Sequence, residues 1–138
     1  MKDLSLAEYR ALAEFRQSIR GFLHFSEEQV RAQGLEPRQH QLLLAIKGLP
    51  AGTDSTIGEL AGRMFLKHHS TVELVDRLER QGYVRRAHAD LDHRQVLVHL
   101  TPAGESVLRK LSLAHHQELE TAGPALARAL RRLMRPAA

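Results

Sequence analysis

Apolar positions along the chain follow two different periods, and the changes between them mark out its elements. Leu12, Phe15, Ile19, Phe22, Leu23 and Val30 recur mostly at spacings of three, four and seven, the stripe of one long amphipathic helix. Ser5 and Glu8 form a capping box, S-x-x-E, at its start, and Gly34 supplies a stop. That helix is long for so short a chain, so its stripe predicts packing against something outside its own core. Pro37 suits the first turn of a second helix, with Leu42, Leu43, Ile46 and Leu49 on its apolar face. Gly48, Pro50 and Gly52 end it.

Thr56 and Glu59 make a second capping box, opening a short helix over Ile57 to Met64. A linker around Phe65–Lys67 leads to a further helix with Thr71, Leu74, Val75 and Leu78 on one face, closed by Gly82. The helical period is then lost from Tyr83 to His88, and residues 89–93 carry turn chemistry. Val96, Val98 and Leu100 alternate with Gln95, Leu97 and His99, so two short strands around a turn are predicted. Thr101-Pro102 reads as an N-cap followed by Pro at N1. Val107, Leu108, Leu111 and Leu119 continue as a long helix, which Gly123-Pro124 is expected to break before a last short helix carrying Leu126, Leu130 and Leu133. The fold class is therefore mainly α with a small β-hairpin. Two short adjacent helices followed by a hairpin are the parts of a winged helix-turn-helix, whose second helix enters the DNA major groove.

Composition narrows the choice. The 138 residues amount to one domain, and with aromatics at 4% the core must be aliphatic. A formal charge of +4 permits a polyanionic partner. The absence of Cys excludes disulfides, thiolate metal sites and Cys-based redox sensing. The opening MKDLSLAEYR places charges where a signal peptide needs an apolar run, and no stretch approaches the ~20 apolar residues of a membrane span, so a cytoplasmic protein without a membrane partner is expected.

Two constellations carry candidate chemistry. Lys67, His68, His69, Ser70 and Thr71, with Glu73 and Arg77, lie at the start or on the polar face of the second short helix, where side chains can read base edges. The plainer alternative is a solvated polar face. Asp90-Leu91-Asp92-His93-Arg94 sits at the hairpin turn, where a projecting Arg suits the narrow, negative minor groove and a carboxylate can hold its guanidinium. An ordinary charged turn is the alternative there. Arg63, Lys67 and the pair Arg85-Arg86 are candidates for phosphate contacts.

Three segments resemble motifs of the multiple-antibiotic-resistance regulator (MarR) family. Thr56-Ile57-Gly58-Glu59-Leu60-Ala61 is similar to its T-[IV]-x-E-L-A opening. Ser70 through Val84, with Leu74-Val75-Asp76-Arg77-Leu78-Glu79, resembles its recognition helix. Asp92-His93-Arg94 followed by Leu100-Thr101-Pro102-Ala103-Gly104 resembles its wing signature. The resemblance implies a homodimer whose first and last helices interlock. It implies residues 1–34 as an N-terminal dimerisation helix, 35–100 as the DNA-binding lobe and 101–138 as C-terminal dimerisation helices. It implies Arg94 in the minor groove with Asp92 as its support, and His68, His69, Ser70 and Arg77 in or beside the recognition surface. It also implies a repressor that binds a pseudo-palindromic duplex site and answers to a small, often phenolic or anionic, effector. The chain departs from the pattern at His68-His69, where small polar residues are more usual.

Other classes fare worse. Nine His residues raise a metal site, but neighbours such as His68-His69 and His115-His116 point ~100° apart on a helix and cannot face one ion alone. His24, His115, His116 and Glu118 could meet only across packed helices. No metal and no cofactor are expected. No phosphate loop, nucleophile elbow or catalytic carboxylate pair is present, so an enzyme is not expected. A protein-docking winged helix is the rival reading, against which Arg94 and Arg85-Arg86 speak.

Overall fold

A computed structural model describes residues 3–89 and 92–135, and at 89 and 92–94 the backbone alone. Among the described residues are five helices and one hairpin: α1 (Leu6–Ala32), α2 (Pro37–Lys47), α3 (Ile57–Met64), α4 (His68–Arg80), β1 (Val84–Ala89), β2 (Asp92–Leu100) and α5 (Pro102–Met134). The capping signals operate as the sequence predicts. The Ser5 amide donates to Glu8 Oε2 at 3.2 Å and the Glu8 amide to Ser5 Oγ at 3.1 Å. Thr56 Oγ1 accepts from the Glu59 amide at 3.1 Å. Helix α2 starts on a box the sequence reading missed: Glu36 is its N-cap, and Gln39 Oε1 accepts from the Glu36 amide at 2.8 Å.

The chain forms two compact units. The first, Val30–Leu111, is held by an aliphatic core in which Leu42, Leu43, Leu60, Val75, Leu78 and Val98 are fully buried. The buried face of α4 is Thr71, Leu74, Val75 and Leu78, as its periodicity predicts. Strands β1 and β2 are antiparallel, with Val84 opposite Leu100 and Arg86 opposite Val98. The wing is stitched to the start of α3, since the Val98 amide donates to the Ser55 carbonyl at 2.9 Å and Thr56 bridges Leu97.

The entry to α5 explains why Leu-Thr-Pro-Ala-Gly is read there as a unit. Thr101 Oγ1 donates to the Gly82 carbonyl and accepts from the Gly104 amide at 3.1 Å, while the Thr101 amide donates to the Tyr83 carbonyl at 3.1 Å. Gly104 lies directly against that Tyr83 carbonyl, too close for any side chain. One turn thus joins α4, the wing and α5 through hydrogen bonds that need Thr at 101 and no Cβ at 104.

The second unit comprises α1 up to Gln29 and α5 from Ser112. Its interior contains Ala129 and the buried His115, whose Nε2 lies 2.6 Å from Ser26 Oγ and whose ring meets Phe22 and Phe25 edge-on. Arg132 pairs with Glu14 at 2.6 Å.

One feature departs from the sequence reading. The expected break at Gly123-Pro124 does not occur, and α5 runs unbroken to Met134 with Pro124 inside it. Proline removes one donor, at a typical cost of about 3 kcal/mol. Here the carbonyl left without its donor belongs to Glu120, an exposed residue, and the Ala- and Leu-rich sequence that follows favours helix.

The linker after α3 opens on Phe65, which ends the helix in the left-handed region (φ 54°) with 95% of its surface exposed. A bulky residue there costs about 1–2 kcal/mol and gains no burial in return. Phe65→Gly should therefore raise stability by about 1 kcal/mol in chemical denaturation. A lower midpoint would mean that the ring makes contacts in the folded protein that its exposure denies.

Candidate nucleic-acid interface

Helix α4 presents three surfaces besides its buried one. Its crest, opposite the core, carries His69, Glu73 and Arg80, all exposed. One flank, with Ser70 and Arg77, lies along the start of α2, and an open cleft of about 640 Å³ separates them, lined also by Glu36, Arg38 and Leu66. The other flank, with Asp76 and Glu79, faces the wing. Lys67 stands at the N-cap without a side-chain hydrogen bond to the first turn. A helix begun in this way offers backbone N–H groups and a positive dipole end to an anion.

The candidate residues thus largely come together. Lys67, His68, His69, Glu73 and Arg77 are exposed on one helix, with Ser70 half-buried beside them. Arg63 sits on α3 and is paired with Glu59 through its Nε at 2.9 Å, an exposed i,i+4 pair of the kind that is weak and readily exchanged. Asp92 and Arg94 belong to β2, but their side chains lie outside the described residues. Among the described residues no group of three or more His, Asp or Glu is placed to hold a metal. His24 lies 3.0 Å from Glu28, and His115 is engaged with Ser26.

One expectation needs correcting. Arg85 and Arg86 were expected to act as a pair toward phosphates, and only Arg85 is exposed. Arg86 is 27% exposed and forks across two carboxylates of α4, with Nη1 2.7 Å from Glu79 Oε1 and Nη2 2.5 Å from Asp76 Oδ1. Its amide also donates to Glu79 Oε2 at 2.9 Å. Burial alone would push this guanidinium down. The hydrogen bonds and charges of Asp76 and Glu79 more than offset that and hold it above its ordinary value. The signal was present in the strand period, because Arg86 shares a face with the buried Val84, two residues before it, while Arg85 takes the opposite face.

Comparison with known proteins follows the geometry. The model of the MarR family matches residues 33–95, the helix pair and most of the wing. A MarR family protein from Bacillus stearothermophilus aligns over 91% of this chain and 94% of its own, with TM-score 0.70 and 25% identity. Over residues 33–95 the chain is similar to the MarR family. In sequence the chain is also similar to YsmB of Bacillus subtilis, an uncharacterized HTH-type transcriptional regulator, with 40% identity over 58 residues. That stretch is 42% of this chain and 40% of YsmB, so the match spans less than half the length of this curated relative. FabT of Streptococcus pneumoniae, solved in complex with DNA, shares the fold at TM-score 0.70 and 22% identity, over 82% of this chain and 80% of its own. The relatives matched are regulators rather than enzymes. Among the described residues no helix is long and apolar enough to cross a membrane.

Proposed function

We propose that this protein is a sequence-specific DNA-binding transcriptional regulator of the MarR kind that works in the cytoplasm as a homodimer on a pseudo-palindromic duplex site. The observation that carries the reading is α4: a helix with an uncapped N-terminus and an exposed polar crest, braced beside a two-stranded wing. That is the arrangement by which a recognition helix enters the major groove while a wing reaches a flanking groove. FabT, which has this fold, is solved on DNA.

In this reading the α4 N-terminus, Lys67 and Arg85 bind phosphate, and Arg63 joins them by exchanging Glu59 for a phosphate oxygen. His68, His69, Ser70, Glu73 and Arg77 face base edges, and Arg94, supported by Asp92, enters the minor groove. The outer unit pairs two copies. Leu6, Leu12, Leu23, Leu113, Leu119 and Leu130 on it are exposed in the single chain, apolar surface that a second copy would cover. A small phenolic or anionic effector acts by preferring one spacing of the two recognition helices, releasing a repressor from its site.

Titration with duplex DNA at several salt concentrations tests the proposal. Affinity should fall steeply with salt, by about 0.9 log units per phosphate contact for each tenfold rise. Binding that ignores salt, or no binding, would favour a protein-docking winged helix instead. Within the interface, Lys67→Ala should lower affinity evenly across sequences, whereas Glu73→Ala should shift the preferred sequence with little change in total affinity. Selection from a random pool with each variant measures both effects, and the reverse pattern would mean that α4 is turned differently in the groove.

A further inference from the structure

We propose that Arg86 is a positioning residue for DNA recognition, which cancels the carboxylates of Asp76 and Glu79 and locks the wing to the recognition helix as one rigid reading head. This rests on the DNA-binding reading above. Asp76 and Glu79 stand three apart on α4, so they are neighbours on one flank, next to the crest that carries His69 and Glu73. Two carboxylates beside a groove-facing surface would meet phosphate repulsion. Arg86 reaches both of them from β1 with separate nitrogens, and its own amide takes the remaining Glu79 oxygen. Three hydrogen bonds therefore join the first strand of the wing to the last two turns of α4.

The geometry specifies the residue type. The guanidinium meets the two carboxylates with two rigidly spaced nitrogens, whereas a lysine ammonium would have to bridge both from a single flexible nitrogen. The pair also lies partly out of water, so screening by salt is weaker here than for an exposed pair. Without the fork, β1 keeps its ladder with β2, the burial of Val84 and the Arg86 amide bond to Glu79, but loses both side-chain bonds that tie it to α4. The hairpin can then pivot against α4. A contact made by the wing would no longer be registered against contacts made by α4.

Charge and geometry separate in two variants. Arg86→Met keeps the stem and removes both functions. Arg86→Lys keeps the charge and loses the fork. Affinity for random-sequence duplex, which reads charge, should fall about tenfold in Arg86→Met and stay near wild type in Arg86→Lys. The ratio of affinities for the selected site and for random duplex, which reads register, should fall about tenfold in both. Hydrogen exchange on the DNA-free protein should show faster exchange of the β1 amides in both variants, with α2 and α3 unchanged.

Wild-type affinities and ratio in a folded Arg86→Met protein would overturn the proposal. So would an Arg86→Lys protein that keeps the full ratio, because the fork would then be dispensable. If Arg86→Met does not fold, Arg86→Lys still decides the geometric part. If the wild-type protein binds no duplex at all, the DNA-binding reading fails by itself, and β1 exchange still judges the brace.

Discussion

Replacing Gly104 with alanine should destabilise the protein by about 3 kcal/mol, lowering its thermal midpoint by roughly 10 °C. The cause is steric and cannot be relieved by a rotamer change, because the added Cβ would meet the Tyr83 carbonyl oxygen, a backbone atom. That same oxygen accepts the Thr101 amide, so moving it away breaks the turn that starts α5. The wing strands and α5 would shift together, and binding of DNA should weaken with stability. Gly62→Ala is the matching control. Its Cβ meets nothing within 4 Å, in the exposed part of α3. It should stabilise by about 0.5–1 kcal/mol through helix propensity alone. Thermal unfolding of the two variants side by side checks the opposite signs, and a neutral Gly104→Ala would mean that α5 can enter at another angle.

Phe15→Asp combined with Ile19→Asp should convert a dimer to a monomer and lower affinity for the selected DNA site at least a hundredfold. The two side chains stand four apart on the apolar stripe of α1 and are half-buried within a single chain. Charges there would be desolvated if a second copy covers the stripe. The loss in DNA affinity follows from avidity, since two linked recognition helices bind one site far more tightly than either alone. Light scattering reads the first effect directly: the variant should give the chain mass of 15.6 kDa and the wild type twice that. A wild-type protein that scatters as a monomer with full helix content would remove the homodimer from the proposed mechanism.

Much of the fold was legible because the signals for it are local. The bounds of α3 follow from Thr56 and Glu59, whose side chains cap the helix within one turn. The buried face of α4 follows from the period of Thr71, Leu74, Val75 and Leu78, since one side of any helix in a small domain must leave water. The strand alternation placed Val98 in the core. Lys67, His68, His69, Glu73 and Arg77 were recognisable as one surface because helical geometry alone puts them outside that buried face.

Tertiary structure decided what depends on distant partners. Pro124 carries a strong local signal for a break, yet α5 continues, because the helix formers that follow outweigh one missing hydrogen bond. Phe65 falls in the predicted linker, and only the structure shows it left-handed and in water. The Gly104 contact depends on where Tyr83 comes to lie after the whole wing has intervened. Arg86 looks like half of a basic pair in the sequence. Its partners Asp76 and Glu79 are ten and seven residues away on another element, and no local rule says that a fork will close on them. Sequence alone determined which faces leave water, because that is a matter of period. Which charges remain for a partner was determined only by folding, because a charge is free or spent according to what the fold brings beside it.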